Sequence, residues 1–90
     1  MPEVVHHERE GRFECSVEGY RCVLDYRLTD GVMAILHTGV PSPVGGRGIA
    51  AELTRVALET ARREGWRVLP VCSYAEVYMR RHTEYADLLG

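Results

Sequence analysis

Apolar and polar residues alternate along positions 12–17, where Phe13, Cys15 and Val17 are set against Arg12, Glu14 and Ser16, the period of a strand with one buried face. Glu18-Gly19 then reads as a tight turn, which places Val17 opposite Tyr20 and Cys15 opposite Cys22. The next strand continues the apolar face through Cys22, Leu24, Tyr26 and Leu28. Asp30-Gly31 closes a second hairpin onto residues 32–38, so that Met33, Ile35 and His37 join that face. Ala34 and Leu36 on the alternate positions are apolar too, and this strand is therefore expected to be central and covered on both faces.

The period changes after the glycines that follow. From Ile49 the apolar positions are 49, 53, 56, 57, 58 and 61, the stripe of a helix laid on a sheet. Arg62 and Arg63 complement its dipole and Gly65 supplies the stop. Residues 67–71 form a short apolar strand, which makes a strand, crossover helix, strand unit with parallel pairing and a right-handed crossover. Ser73-Tyr74-Ala75-Glu76 fits the S-x-x-E capping box, so a second helix is expected to start just beyond Cys72 and to carry Val77, Tyr78 and Arg81. Residues 82–90 read as a short helical or irregular tail. The fold class is α/β: a mixed sheet of about four strands, antiparallel hairpins first, then a parallel β-α-β unit and a C-terminal helix.

Length and charge narrow the function classes. The 90 residues suit a single domain spanning 1–90, and a net charge of −2 from interspersed charges leaves no basic face for nucleic acid or a membrane surface. No apolar run has transmembrane length, the polar start lacks a signal-peptide pattern, and three cysteines suit reduced thiols, so a cytoplasmic protein is expected. The sequence leaves the oligomeric state open.

Chemistry concentrates where the strand pattern gives way to the helix, in the run from His37 to Ala50 containing Gly45, Gly46 and Gly48. Glycines at a helix entry let a phosphate approach the backbone, and the free N–H groups of the first turn supply donors and partial positive charge. A P-loop is excluded because G-x-x-x-x-G-K-[ST] is absent and the chain has no lysine. A dinucleotide fingerprint fits poorly, because antiparallel hairpins precede the glycines. A pyrophosphate carrier such as coenzyme A remains, as does a plain tight turn. Cys72, between an apolar strand and a helix start, is a candidate nucleophile set against an inert buried thiol. Tyr78 is a candidate proton donor or a core residue, and His37 a candidate general base or a histidine packed beside Leu24 and Tyr26. Arg80, Arg81 and His82 are candidates for cofactor phosphates against a solvated helix face. Cys15 and Cys22 with His6 and His7 lack zinc-ligand spacing, and no metal site is expected.

Gly48-Ile49-Ala50 behind an extended Val40 resembles the acetyl-CoA signature R/Q-x-x-G-x-G/A of the GNAT N-acetyltransferases. More narrowly, His37-Thr38 through Val40-Pro41, residues 46–50, Pro70-Val71-Cys72-Ser73-Tyr74 and residues 78–82 with Glu84-Tyr85 are similar, in that order, to the minimal GNAT-like family of small acetyltransferases. The resemblance implies acetyl-CoA as cofactor and an amine as acceptor. It implies that Val40, Gly46, Arg47, Gly48, Ile49, Ala50, Cys72, Ser73, Tyr78 and Arg81 bind the cofactor, with Cys72, Tyr78 and His37 as catalytic candidates. The signature's Arg or Gln falls on Gly45, so Arg47 would have to contribute, and the family's Y-x-x-x-G-F ending is absent. The helices that shape the acceptor site in larger relatives have no room here, which implies an open site for a large or exposed amine. The competing readings are a non-catalytic acyl-CoA-binding or interaction module and a structural domain whose glycines only turn the chain.

Overall fold

Strands β1 (Val5–His7), β2 (Arg12–Val17), β3 (Tyr20–Thr29), β4 (Val32–Gly39) and β5 (Arg67–Pro70) lie side by side in chain order in the computed structural model, which describes residues 2–90. The first four pair antiparallel and β5 joins β4 in parallel. The strand missing from the expected pattern is β1, whose inward residue is a histidine. His6 stacks on Phe13 with ring centroids 4.1 Å apart, and its Nε2 lies 2.6 Å from the Tyr26 hydroxyl.

Both tight turns adopt positive φ at their central residues, Glu18 (50°) with Gly19 (80°) and Asp30 (52°) with Gly31 (76°). That is the backbone of a type I′ turn, whose twist matches the flanking strands. It fixes the expected register, with Val17 opposite Tyr20 and Cys15 opposite Cys22. Cys22, Leu24, Tyr26, Met33 and Ile35 all face the core, while Leu28, at the far end of β3, is exposed.

The expected placement of His37 fails at a β-bulge. Tyr26 pairs with Ile35 but Asp25 pairs with His37, so Leu36 is the extra residue on β4. Alternation is lost there: Leu36 and His37 are both exposed, and Thr38 takes the inward position opposite Leu24. His37 is thus not packed beside Leu24 and Tyr26. Nor is β4 covered on both faces, since both helices pack on one side and Leu36 and Leu69 on the other are 42% and 48% exposed.

The covering helix α1 (Ile49–Glu64) buries Ile49, Leu53, Ala57, Leu58 and Ala61 against the sheet, as the stripe predicts. Leu53 and Leu58 are wholly buried, each contributing roughly 1.5–3 kcal/mol of apolar burial. Thr54 and Thr60 are buried on the same helix because their hydroxyls donate to the carbonyls of Ala50 and Val56, both at 2.8 Å. Gly65, at φ 76°, ends the helix as expected, its N–H bonded to the carbonyls of Ala61 and Arg62. Helix α2 (Ser73–Arg81) and a 3-10 turn (Thr83–Leu88) complete the layer. Arg62 clamps this tail through Asp87 and the Glu84 carbonyl, and Leu89 bridges to Val68 along the free edge of β5.

Candidate active site

The parallel pairing of β4 with β5 runs from Val32 opposite Arg67 to Ile35 opposite Pro70 and then stops. At that point the Ile35 carbonyl accepts from two amides, Val71 at 3.0 Å and Cys72 at 2.9 Å, and the chain turns away into α2. Beyond Ile35, β4 continues to Gly39 with only β3 beside it. The two strands therefore part between the end of β4 and the start of α2. Thr38 lies on one side and Cys72 on the other, their Oγ1 and Sγ 3.8 Å apart. Without the bulge at Leu36, Thr38 would face the other side of the sheet.

Cys72 itself is the N-cap of α2, with Ser73 the first helical residue. The expected Ser73–Glu76 capping box does not form, and Glu76 pairs with Arg80 instead. The two bonds to the Ile35 carbonyl set this register, because they fix the chain's turn at Cys72 rather than at Ser73. Partial burial pushes the Cys72 thiol up, but the amides of Ala75 and Tyr74 and the hydroxyl and amide of Thr38 more than offset it, and the net value falls below the usual 9.0. The thiol makes no capping hydrogen bond. The effect is the field of donors and dipole at a helix start acting on a thiolate.

The second helix start at this edge is bare. Gly48 caps α1 in the left-handed region (φ 79°) with no side-chain hydrogen bond, and the first intrahelical bond is Glu52 N–H to the Gly48 carbonyl. The N–H groups of Ile49, Ala50 and Ala51 have no partner within the helix, and Gly46 and Gly48 in front of them are exposed. Val40, where β4 leaves the sheet, packs partly against the core. Arg47 points elsewhere: its Nη1 lies 2.6 Å from Glu18 in the β2–β3 turn. That guanidinium holds the Glu18 carboxyl below its usual value.

Between the helices runs a groove of about 120 Å³ lined by Ala51, Tyr74, Val77, Tyr78, Arg81 and His82. Tyr78 is buried, its ring stacked on His82 at 4.0 Å. Burial, then the Glu84 carboxylate, raise the Tyr78 hydroxyl above its usual value, so it stays protonated through neutral pH and can donate. Arg81 reaches the groove and makes no ion pair among the described residues. His37 is separated from this group. It lies on the outer face of the sheet, with Nε2 3.0 Å from where a β-carbon on Gly39 would stand. Gly39 therefore leaves room for the imidazole. The residue that sequence reasoning missed is Thr38: its inward turn depends on the bulge, which residue type alone does not signal. Among the described residues no three of His, Cys, Asp and Glu converge on a metal position, and no helix is long and apolar enough to cross a membrane.

A layer of two helices on a mixed sheet that splits between its parallel strands defines the class of acyl-CoA N-acyltransferase folds. The family model for GCN5-related N-acetyltransferases matches residues 12–88, and the chain belongs to that family. In three dimensions it is similar to a GCN5-like protein of Staphylococcus aureus, named as a candidate N-acetyltransferase and solved by NMR in solution. The two share 25% sequence identity at a TM-score of 0.77, over 98% of this chain and 87% of that one.

Proposed function

We propose that the protein moves an acetyl group from acetyl-CoA to an amine, with the thioester lying where β4 and β5 part, beside Thr38 and Cys72. The observation that carries this reading is the parting of β4 from β5 beside an uncapped α1, which puts free backbone donors of a strand end and a helix start at the same end of the sheet. The pyrophosphate rests against the exposed turn at Gly46, Arg47 and Gly48 and on the N–H groups of Ile49 and Ala50. The pantetheine chain runs along Val40 and the groove beside Tyr78, with Arg81 in its lining and Ser73 at the start of α2.

The amine nitrogen attacks the thioester carbonyl carbon, and backbone donors on the unpaired end of β4 stabilise the oxyanion. The carbon–sulfur bond then breaks, the amine's proton passes to His37 or solvent, and the departing CoA thiolate takes a proton from Tyr78. The lowered Cys72 thiol favours a second route, in which its thiolate first displaces CoA to form a thioester and the amine then displaces Cys72. Two measurements test the reading. Acetyl-CoA should raise Tm by mass action, and an amine library should show turnover. Absence of the Tm shift removes the cofactor; a shift without turnover on any amine leaves an acyl-CoA-binding module. Intact-mass analysis after incubation with acetyl-CoA alone decides the route, since only the two-step path leaves an acetyl group on Cys72.

A further inference from the structure

Cys15 and Cys22 stand directly opposite each other on β2 and β3, both buried and both free thiols. The turn beside them defines what kind of pair they form. Val17 and Tyr20 close a two-residue loop, and the closing pair of such a loop exchanges both backbone hydrogen bonds. The kind of pair alternates along an antiparallel ladder, so Cys15 and Cys22, two residues further on, are of the same kind. Their α-carbons then lie about 5.5 Å apart, within the roughly 4.4–6.8 Å that a disulfide spans. Their β-carbons lie about 4.5–5.5 Å apart, where a disulfide needs about 3.8 Å. A bond between the two is within reach, and it is strained.

Strain of this kind makes a disulfide easy to reduce. The pair therefore stays as thiols in a reducing pool and closes only when the pool turns oxidising. Burial, and then the neighbouring Cys22, push the Cys15 thiol up, which slows its reaction while the hairpin is closed. The hairpin tip, however, is built to open. β1 flanks β2 at Arg12, Phe13 and Glu14, and from Cys15 to Val17 no strand covers this edge among the described residues. Local opening of the tip exposes the thiol at a smaller cost than unfolding the sheet.

The pair borders the start of α1. Cys15 and Cys22 share a core cluster with Val44 and Ile49, which flank the glycine turn, and the Glu52 carboxylate of the first helical turn acts on the Cys15 thiol. The other link between hairpin and turn, Glu18 to Arg47, is exposed and yields easily, so the buried contact is the one that transmits a shift.

We propose that Cys15 and Cys22 form a reversible disulfide that weakens cofactor binding at the start of α1. Its effect on the cofactor rests on the acetyl-CoA reading above. The oxidant is a small disulfide of the glutathione class. The Cys15 thiolate attacks one of its sulfurs, breaks that S–S bond and releases one glutathione thiolate, which takes up the proton that Cys15 lost. The Cys22 thiolate then attacks the Cys15 sulfur of the mixed disulfide and releases the second glutathione, which is protonated in the same way. The two cysteines lose two electrons and the small disulfide gains them. Closing the bond draws β2 and β3 together beneath Ile49 and shifts the first turn of α1.

The test uses the full chain carrying Cys72→Ala, so that the hairpin thiols alone can react. It is equilibrated across a series of reduced to oxidised glutathione ratios, acid-quenched and alkylated. Trypsin cuts after Arg12, Arg21 and Arg27, so a closed pair leaves residues 13–21 joined to residues 22–27. The expected result is a chain lighter by two hydrogens and joined in that way, formed at oxidising ratios and reopened by excess reduced glutathione. Its far-UV dichroism should match that of the reduced chain, while its Kd for acetyl-CoA should be higher by about fivefold or more and return on reduction. Glutathione adducts or linked dimers without the closed pair, an oxidised chain that has lost its fold, or a closed pair with an unchanged Kd would each overturn the proposal. A reduced wild-type chain that shows no Tm shift with acetyl-CoA is the separate failure of the cofactor reading; the regulatory effect falls with it, and the peptide map still decides the disulfide.

Discussion

Two helices begin at the same edge of the sheet, because the strands that precede them run parallel, yet their first turns are treated in opposite ways. Helix α1 starts behind Gly48 in the left-handed region with no side chain on its free N–H groups. Helix α2 starts behind Cys72, whose sulfur sits in the field of the Ala75 and Tyr74 amides and lies 3.8 Å from Thr38 Oγ1. Both starts favour negative charge. The first is left open to a charge that arrives from outside; the second is occupied by a charge the chain can generate itself. Which residue stands at the cap thus separates a binding helix start from a chemical one.

Gly48→Asp tests the open start and carries the largest expected effect. The new carboxylate would occupy the cap and repel a pyrophosphate, so the Tm shift given by CoA or acetyl-CoA should vanish and Kd should rise by more than about tenfold. Gly48→Asn is the control, since Asn also tolerates the left-handed region but adds no charge, and it should lose less. An aspartate variant that binds as the wild type does would move the cofactor away from α1.

Cys72→Ala tests the occupied start. The expected outcome is an unchanged Kd for acetyl-CoA with kcat reduced about tenfold or more, the pattern of a group that acts on the reacting atoms rather than on binding. Full turnover in this variant would leave direct transfer with Tyr78 as the proton donor and reduce Cys72 to packing.

The two starts were not equally legible in the sequence. The glycines mark the open one directly, because only glycine serves cheaply at positive φ, and Gly46 (77°) and Gly48 (79°) both adopt it. The hairpins were equally legible, since Glu18-Gly19 and Asp30-Gly31 carry their turn geometry in their residue types. The occupied start was placed correctly, just beyond Cys72, but its cap was assigned to a Ser73–Glu76 box that does not form. Ser73 looks like the cap because its oxygen is a good one, whereas the position was set from outside the segment by the Ile35 carbonyl. The same limit explains His37. A bulge is a property of the pair β3–β4, and strict alternation carried past Leu36 puts every following residue on the wrong face. The strand β1 was lost for a third reason: a histidine that stacks on Phe13 and meets Tyr26 is a core residue by geometry and a polar one by type.

Thr38→Val sharpens the comparison more gently. Removing the hydroxyl takes away one of the groups that lower the Cys72 thiol, so the midpoint of alkylation by iodoacetamide against pH should lie below 9.0 in the wild type and move upward in the variant. The linkage has the matching sign. With the folded value depressed, the thiolate's stabilisation is fully present above the unfolded value and is lost as pH falls through the folded one. Coincident profiles would mean that the helix amides alone set the thiol.

The smallest effect is expected at Arg47, the side chain that would have to serve where the family signature's Arg or Gln falls on Gly45. It is paired with Glu18, and both are well exposed, so the pair is screened by solvent and gives way easily. Glu18 also stands at positive φ in a type I′ turn, where Asn followed by Gly is the favoured pair. Glu18→Asn therefore removes the carboxylate and improves the turn together. Tm should rise slightly, and the freed guanidinium should tighten acetyl-CoA binding by about two- to threefold, a gain that shrinks as salt is added. Arg47→Ala should cancel the gain in the double variant. Equal affinities in the single and double variants would show that α1 binds its anion by backbone alone.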